Sequence, residues 1–233
     1  MTTMTTVSRR PGRGGRERIL AAAAGLFAAQ GINATGMEQI AERAPVSKRT
    51  LYAHFRSKDE LVLAHLKDLS STGRTLEGVL AREDIPAKER ILALFDPPPT
   101  GTDPVRGCPF IDAAAEFPDP QNAVHSYARE QKLLMVRLVT DLVAELGCRE
   151  PAVLAEQLVT LADGAASRAM VLGESNYGRH ARTAAETLLE NALSDGGAVV
   201  AGVGVAAADR SAGVESAAAW VGSAQAEVSR VRD

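Results

Sequence analysis

Three closely spaced helix-start signals restrict residues 35–61 to short helices. Thr35-Gly36-Met37-Glu38 and Ser57-Lys58-Asp59-Glu60 are capping-box patterns, in which a hydroxyl and an acid three residues later bind free N–H groups at a helix start. Ser47 lies between them and can cap a further helix. The pattern predicts short helices over 37–43 and 48–55 joined by a tight turn, an arrangement typical of a helix-turn-helix.

Helical periodicity also dominates the rest of the chain. Apolar residues recur three and four positions apart, and the alternation typical of a half-buried strand is missing. The sequence therefore predicts an all-α protein. Helices are expected over residues 19–30, 58–80, 87–95, 110–116, 122–146, 151–172 and 179–193, with proline or glycine between most of them.

The charge of the chain is divided unevenly along its length. Residues 1–66 carry ten Lys/Arg and five Asp/Glu, a net +5, whereas the remainder carries sixteen and twenty-four, a net −8. Such asymmetry predicts a basic module joined to an acidic body. Four segments are expected: a flexible basic arm at 1–15, a helix-turn-helix domain at 16–66, a helical domain at 67–194 and a low-complexity Ala/Gly/Val tail at 195–233.

Several classes of protein find no support in the sequence. Only two cysteines occur, so we expect a reducing, cytoplasmic compartment rather than a disulfide framework. The four histidines have no metal-ligand spacing, and no apolar run approaches the roughly 20 residues of a membrane helix. No catalytic motif occurs, and the one conceivable nucleophile–base pair, Cys108 and His125, lies on separate predicted elements. We expect no metal, no cofactor, no membrane partner and no enzymatic activity.

The second short helix has one apolar face and one polar face. Leu51 and Phe55 are four residues apart and are expected to face the core. Lys48, Arg49 and Tyr52 then fall on other faces, where a partner can reach them. A helix presented in this way can enter the major groove of duplex DNA with its first residues against base edges.

These residues resemble the DNA-binding signature of TetR/AcrR-type transcriptional regulators over about residues 19–66. The resemblance rests on Thr35, on Ala44-Pro45-Val46-Ser47-Lys48-Arg49-Thr50-Leu51-Tyr52-Ala53-His54-Phe55 and on Ser57-Lys58-Asp59-Glu60-Leu61. It implies an N-terminal three-helix DNA-binding domain followed by a helical domain that binds a small ligand and dimerises through its last two helices. The implied partners are double-stranded operator DNA, an unidentified small-molecule effector and a second copy of the chain.

Pro45 departs from the family, in which glycine is usual at this position of the turn. Glycine permits a positive φ, whereas proline holds φ near −65° and disfavours helical backbone at the preceding Ala44. The sequence therefore predicts that the turn follows another backbone route.

The resemblance implies DNA contacts for side chains on and around the second short helix. Arg49 is expected to contact a guanine edge, with a phosphate contact or a solvated side chain as an equal alternative. Lys48 is expected to contact a phosphate or a base edge rather than to make no contact. The hydroxyls of Thr50 and Tyr52 suit phosphates, although Tyr52 could instead pack against the first helix. The full predicted contact set is Thr35, Ser47, Lys48, Arg49, Thr50, Tyr52, His54 and Lys58.

Other members of this set have different alternatives. Lys58 combines positive charge with the free N–H groups of a helix start, which suits a phosphate. Thr35 could do the same, but a capping role would explain it as well. His54 suits either a phosphate contact or a structural position. The arginines of the N-terminal arm, 9, 10 and 13, either follow the duplex or make no contact.

Two further surfaces are expected in the body. Phe110, Phe117, Met135 and Met170 are the candidate lining of an effector pocket, because Met and Phe adapt to apolar ligands, with ordinary core packing as the alternative for each. Cys108, before a predicted helix, suits a small buried side chain better than a thiol sensor. The small residues of 162–169 and the apolar residues of 184–192 suit a symmetric four-helix interface, or packing within one chain.

The function that the sequence favours is a dimeric, ligand-responsive transcriptional regulator, with repression as the expected mode. Such a dimer would bind a pseudo-palindromic operator and leave it when a small apolar or amphipathic effector binds. A ligand-independent DNA-binding module without a sensor pocket is the alternative, and a body without a cavity would favour it.

Overall fold

The computed structural model describes residues 14–71, 76–96, 107–174 and 176–194. Its described residues are helical and contain no strand, which confirms the all-α prediction. The predicted arm and tail lie almost entirely outside the described residues. In chain order the helices are α1 Gly15–Gln30, α2 Met37–Arg43, α3 Lys48–His54, α4 Lys58–Ser71, α5 Leu76–Leu80, α6 Ala87–Leu92 with a 3₁₀ turn Ala93–Phe95, α7 Pro109–Glu116, α8 Ala123–Glu145, α9 Pro151–Leu172 and α10 Tyr177–Ser194.

Most helix boundaries follow signals that the sequence displays. Pro109 and Pro151 occupy first-turn positions, where the missing N–H removes no hydrogen bond, and Asn122 caps α8 by accepting a hydrogen bond from the Val124 N–H at 2.8 Å. The single helix expected over 58–80 instead appears as α4 and α5, with 72–75 outside the described residues. The other predicted helices lie within a few residues of their expected ends.

Helices α1 to α4 form a small head around a shared apolar core. Ile19, Ile40, Leu51 and Leu61, one from each helix, are fully buried. The core does not stop at the head, because buried residues of α7 and the start of α8 belong to the same cluster: Phe110, Ala113, Val124 and Ala128. The head therefore packs directly against α7 and α8 and is not connected to the body through α4 alone.

The body has a second core, in which α8 lies centrally. It packs against α4 to α7 and also against α9, and α9 packs against α10. The apolar face of α8 in this core includes the buried Met135, Val139 and Leu142, and the partly buried Leu138 packs against the same core.

The turn after α2 keeps the backbone route that glycine usually takes. The Val46 N–H donates to the Ala41 carbonyl at 3.0 Å, which is the longer hydrogen bond of a Schellman motif. Pro45 occupies the residue of that motif that usually has positive φ, and its φ is 21°. The prediction of another route was therefore wrong. Packing of α2 and α3 around Ile40 and Leu51 sets this turn, and proline is strained to fit it.

Candidate nucleic-acid interface

Helix α3 is anchored by its apolar face and presents its polar face to solvent. Leu51 is fully buried and Phe55 is 2% exposed. Lys48 and Arg49 are exposed, and Tyr52 is 48% exposed rather than packed against α1. The division of α3 predicted from the four-residue spacing is confirmed, so the first turns of α3 are accessible to a ligand as large as duplex DNA.

The start of α3 is fixed by Ser47. Its hydroxyl accepts a hydrogen bond from the Thr50 N–H at 3.0 Å, which confirms the predicted cap. The hydroxyls of Ser47 and Thr50 also lie 2.8 Å apart in a hydrogen bond. The two side chains therefore set the orientation of the first turn and sit at its exposed end.

The two cations of this turn differ in their surroundings. The Lys48 ammonium is paired with the Glu38 carboxylate of α2, and this hydrogen bond raises the pKa of Lys48 above its usual value. Among the described residues, Arg49 has no hydrogen-bond or ion-pair partner. Arg49 is therefore the cation of α3 that is free to meet a new acceptor. No local sequence pattern predicts the pair between Lys48 and Glu38, because the two residues are ten positions apart on different helices.

His54 and Thr50 lie where α3 meets α1. A Cβ atom placed on the buried Gly15 would lie 3.0 Å from His54 Nε2 and 4.0 Å from the Thr50 methyl, so only glycine fits there without displacement. The guanidinium of Arg16 lies 5.4 Å from the centre of the Phe55 ring. These contacts help to set the angle between α1 and α3. The His54 side chain is nevertheless exposed, so its phosphate contact and its structural position both stay predictions.

Thr35 has an internal role in the turn before α2. It is fully buried, and its hydroxyl donates to the Gly31 carbonyl at 2.7 Å. The residue that caps α2 is Gly36, whose N–H donates to Gln39 Oε1 at 3.5 Å. The capping box expected from Thr35 and Glu38 therefore does not form. Only its second hydrogen bond has a counterpart, one residue later, because glycine has no side chain to accept the first, and Glu38 is left to pair with Lys48.

A chain of hydrogen bonds joins Lys58 to the body. The Lys58 ammonium donates to the Asn33 carbonyl at 3.2 Å. The Glu116 carboxylate at the end of α7 accepts from the backbone N–H groups of Ile32, at 2.9 Å, and of Asn33. Because Glu116 lies more than 80 positions further along the chain, no local sequence signal predicts this contact.

A second contact joins the head to the body at the start of α8. The Asn122 amide donates to the Asp59 carboxylate at 2.9 Å, while the Asn122 carbonyl oxygen caps α8. The beginning of α4 is thereby tied to the beginning of α8. Together with Glu116, this contact fixes the head on the α7–α8 corner.

The predicted effector-pocket residues are divided between the two cores. Phe110 and Phe117 pack in the core shared by the head and α7, whereas Met135 is buried in the core of the body. Met170 is 36% exposed, and its sulfur would lie 3.6 Å from a Cβ atom placed on Gly107. The pocket formed by these four residues stays a prediction.

The region near Met135 also holds an ion pair between α8 and α9. The Lys132 ammonium contacts the Asp163 carboxylate, and it lies 3.6 Å from the Met135 sulfur. Burial raises the pKa of the nearby Cys108 thiol above its usual value, although the Lys132 charge opposes this. Cys108 therefore holds a protonated thiol at neutral pH, as expected for a small buried side chain rather than a thiolate sensor.

Helices α9 and α10 form an antiparallel pair with a shallow apolar groove of about 410 Å³ between them. Ala185 and Leu189 are buried within the chain, so the alternative of internal packing holds for these members of the predicted interface. Val171 is 75% exposed and Leu172 is 48% exposed at one end of the pair. The groove itself is lined by Thr160, Leu161, Gly164, Ala165, Arg168, Tyr177, His180, Ala181 and Ala184.

Two general properties of the described residues bear on other possible functions. No three His, Cys, Asp or Glu side chains within them lie close enough to hold a metal ion. Within the same ranges, none of the helices combines the length and the apolar character needed to cross a membrane. Arg9, Arg10 and Arg13 lie outside the described ranges.

Comparison with known proteins identifies the same family from the sequence of the head and from the fold of most of the chain. Residues 19–65 match the profile of the bacterial regulatory proteins of the tetR family. A crystal structure of a tetr-transcriptional regulator from Streptomyces avermitilis is 30% identical, with a TM-score of 0.63, and the match covers 76% of this chain and 97% of that one. The chain belongs to the TetR family. It is a DNA-binding transcriptional regulator, and its relatives are regulators rather than enzymes.

Two curated relatives of this TetR-family protein match to different extents. The HTH-type transcriptional regulator YjdC of Escherichia coli is 28% identical over 159 residues, which cover 67% of this chain and 83% of that protein. The HTH-type transcriptional activator FasR of Mycolicibacterium smegmatis is 52% identical over 52 residues, which cover 22% of this chain and 24% of that protein.

Proposed function

We propose that this TetR-family protein is a repressor that binds a pseudo-palindromic operator as a homodimer and leaves it when a small apolar or amphipathic effector binds. The observation that carries the proposal is the exposure of Lys48, Arg49 and Tyr52 on a helix held by buried Leu51 and Phe55. A short, anchored and basic helix of this kind suits the major groove. Binding to chromosomal DNA requires a cytoplasmic location.

Within this proposal, residues 16–66 serve as the DNA-binding domain, and 67–194 as the effector-binding and dimerisation domain. Arg49 contacts base edges, and Lys48 and Tyr52 meet base edges or phosphates, whereas Ser47, Thr50 and Lys58 lie where the duplex backbone would pass. The buried Thr35 contributes by holding the turn, and the exposed His54, beside Gly15 of α1, contacts a phosphate. Residues 1–15 and 195–233 serve as a basic arm and a low-complexity tail.

The α9–α10 pair is the proposed dimer surface. Its groove is apolar and lined mainly by small side chains, which allow helices of a second copy to approach closely. Two copies related by a two-fold axis would use the same surface, so that residues of each copy meet their counterparts. The exposed Val171 and Leu172 at the end of the pair would also be covered.

The contacts between the head and the body provide a route for effector control. Glu116 holds the turn between α1 and α2, and Asn122 holds the start of α4. An effector near Met135 and the Lys132–Asp163 pair would act on α8 and on its neighbours, one of which is α7. An effector that binds better to the state with displaced heads would lower the population able to bind DNA.

Selection of bound fragments from a random duplex library is the experiment that tests this function. We expect enrichment of an inverted repeat whose half-site centres are about 34–36 Å apart, or a multiple of that spacing, because two recognition helices must reach successive major grooves. A variant with Arg49, Lys48 and Tyr52 all replaced by alanine serves as the control and should enrich nothing. Enrichment of a single half-site would contradict dimeric binding, and lack of any enrichment would contradict operator recognition.

A further inference from the structure

The acidic side chain of Glu38 on α2 lies beside the basic residues at the start of α3. Glu38 and Lys48 are both mostly exposed, at 69% and 63% of their side chains, and they form an ion pair. Glu42, also exposed on α2, adds to the negative field at Lys48. The positive charge that the sequence assigns to Lys48 is thus largely neutralised before any DNA is bound.

We propose that Glu38 is a specificity-determining residue, whose carboxylate lowers affinity for duplexes of arbitrary sequence more than affinity for the operator. The inference rests on the proposed operator binding. Phosphate oxygens only accept hydrogen bonds, so Glu38 repels them and also withholds Lys48 from them. Base edges in the major groove offer both acceptors and amino donors, so a joined ammonium and carboxylate can be satisfied there together.

The effect of Glu38 on affinity for arbitrary DNA can be measured separately from its effect on affinity for the operator, because non-specific binding is mainly electrostatic. Affinity for arbitrary DNA comes almost entirely from neutralised phosphates and released counterions. With Lys48 paired, α3 contributes Arg49 but little additional charge to such complexes. At the operator, contacts with base edges compensate for the repulsion, so the same carboxylate widens the gap between specific and non-specific affinity.

The exposed position of Glu38 allows an effect on DNA binding to be separated from an effect on folding. Ion pairs between exposed side chains contribute little to stability, so replacing Glu38 leaves the fold intact. The Glu38 side chain takes part neither in the Thr35–Gly31 hydrogen bond that holds the turn nor in the hydrogen bond from the Gly36 N–H to Gln39. A change in DNA binding can therefore be assigned to charge rather than to unfolding.

The test compares Glu38→Gln with Glu130→Gln, which removes the same charge from an exposed position of α8 in the body. Dissociation constants are measured by fluorescence anisotropy over a salt series. The two probes are the duplex most enriched by the wild-type protein and a random-sequence duplex of the same length. We expect Glu38→Gln to tighten binding to the random duplex roughly tenfold near 0.1 M salt and to steepen its log–log salt slope by about 0.9, as one added phosphate contact predicts.

Binding of Glu38→Gln to the enriched duplex should tighten less than binding to the random duplex, so that the ratio of the two affinities falls. Glu130→Gln should leave the ratio unchanged. In the double variant Glu38→Gln/Lys48→Gln, the gain on the random duplex should disappear, because Lys48 supplies the added contact.

Three results would overturn the inference while leaving operator binding in place. The first is an equal gain in the affinity of Glu38→Gln for both duplexes, and the second is no change in its affinity for either. The third is a gain in affinity for the random duplex that persists in the double variant Glu38→Gln/Lys48→Gln. A wild-type protein that binds all duplexes equally would instead remove the proposed function, and the inference with it.

Discussion

Replacing Pro45 by glycine is expected to raise the free energy of unfolding by about 1–3 kcal/mol. Pro45 has a φ of 21°, although its ring favours a φ near −65°. It also has no N–H, so the shorter hydrogen bond of the Schellman motif, to the carbonyl of Glu42, cannot form. Glycine removes the strain and supplies the donor, and these gains exceed the roughly 0.4–1 kcal/mol by which its greater freedom favours the unfolded chain.

Equilibrium unfolding in urea measures this effect. Pro86→Gly is the matched control, because Pro86 has a φ of −56°, which suits proline, and it stands at the start of α6. The control should lose stability or stay unchanged. If Pro45→Gly behaves like the control, the turn does not strain its proline, and the description of the α2–α3 connection is wrong.

Acid is expected to destabilise the head through His65. Burial of His65 in α4 lowers its pKa from 6.5 to about 4, and its ring meets the Phe27 ring edge-on at 5.5 Å. Above pH 6.5 the residue is neutral whether the chain is folded or unfolded. Below that pH the unfolded chain takes up the proton and the folded chain does not, so stability falls until pH reaches about 4. The contribution of His65 is a loss of about 2 kcal/mol between pH 6.5 and pH 5.

The measurement is the difference between the free energies of unfolding at pH 7 and pH 5, so that any loss of packing in a variant cancels. His65→Gln and His65→Leu should both show a smaller difference than the wild-type protein, by about 2 kcal/mol. Identical pH dependence in all three proteins would show that His65 is not held neutral by burial.

The parts of the interface that sequence reasoning predicts are those set by local interactions. The Ser47 cap, the buried Leu51 and Phe55 and the exposed Arg49 each follow from residue types within one or two helical turns. The fold class follows in the same way from repeated helical periodicity. These features depend on contacts between near neighbours in the chain, and so a single sequence is enough to reveal them.

The parts that sequence reasoning missed depend on contacts between distant residues. Glu116 accepts hydrogen bonds from the backbone of Ile32 and Asn33, which lie more than 80 positions earlier in the chain. Lys48 pairs with Glu38, which lies on another helix. Hydrogen bonds of this kind require the relative placement of helices, which no local pattern encodes. The strained route at Pro45 was missed for a related reason, since packing of the surrounding helices overrides the preference of one residue.

The predicted lining of the effector site also shows that a single sequence does not determine which distant residues lie together. Phe110, Phe117, Met135 and Met170 have the right chemistry for an apolar ligand, but the helices distribute them over two cores and a surface. Residue type alone does not specify which apolar side chains face each other. The Lys132–Asp163 pair beside Met135 gives a more specific starting point for ligand searches, because it adds a polar group to an apolar region.

The affinity of the Arg49→Ala variant for the enriched duplex tests most directly whether α3 reads DNA. We expect binding to weaken about fivefold to 150-fold, equivalent to about 1–3 kcal/mol, with a smaller loss on a random duplex. Arg137→Ala, which removes an exposed cation of the body, should change neither affinity. Equal losses on the two duplexes would show that Arg49 meets only phosphate, and unchanged affinity for both would contradict the placement of α3 in the major groove.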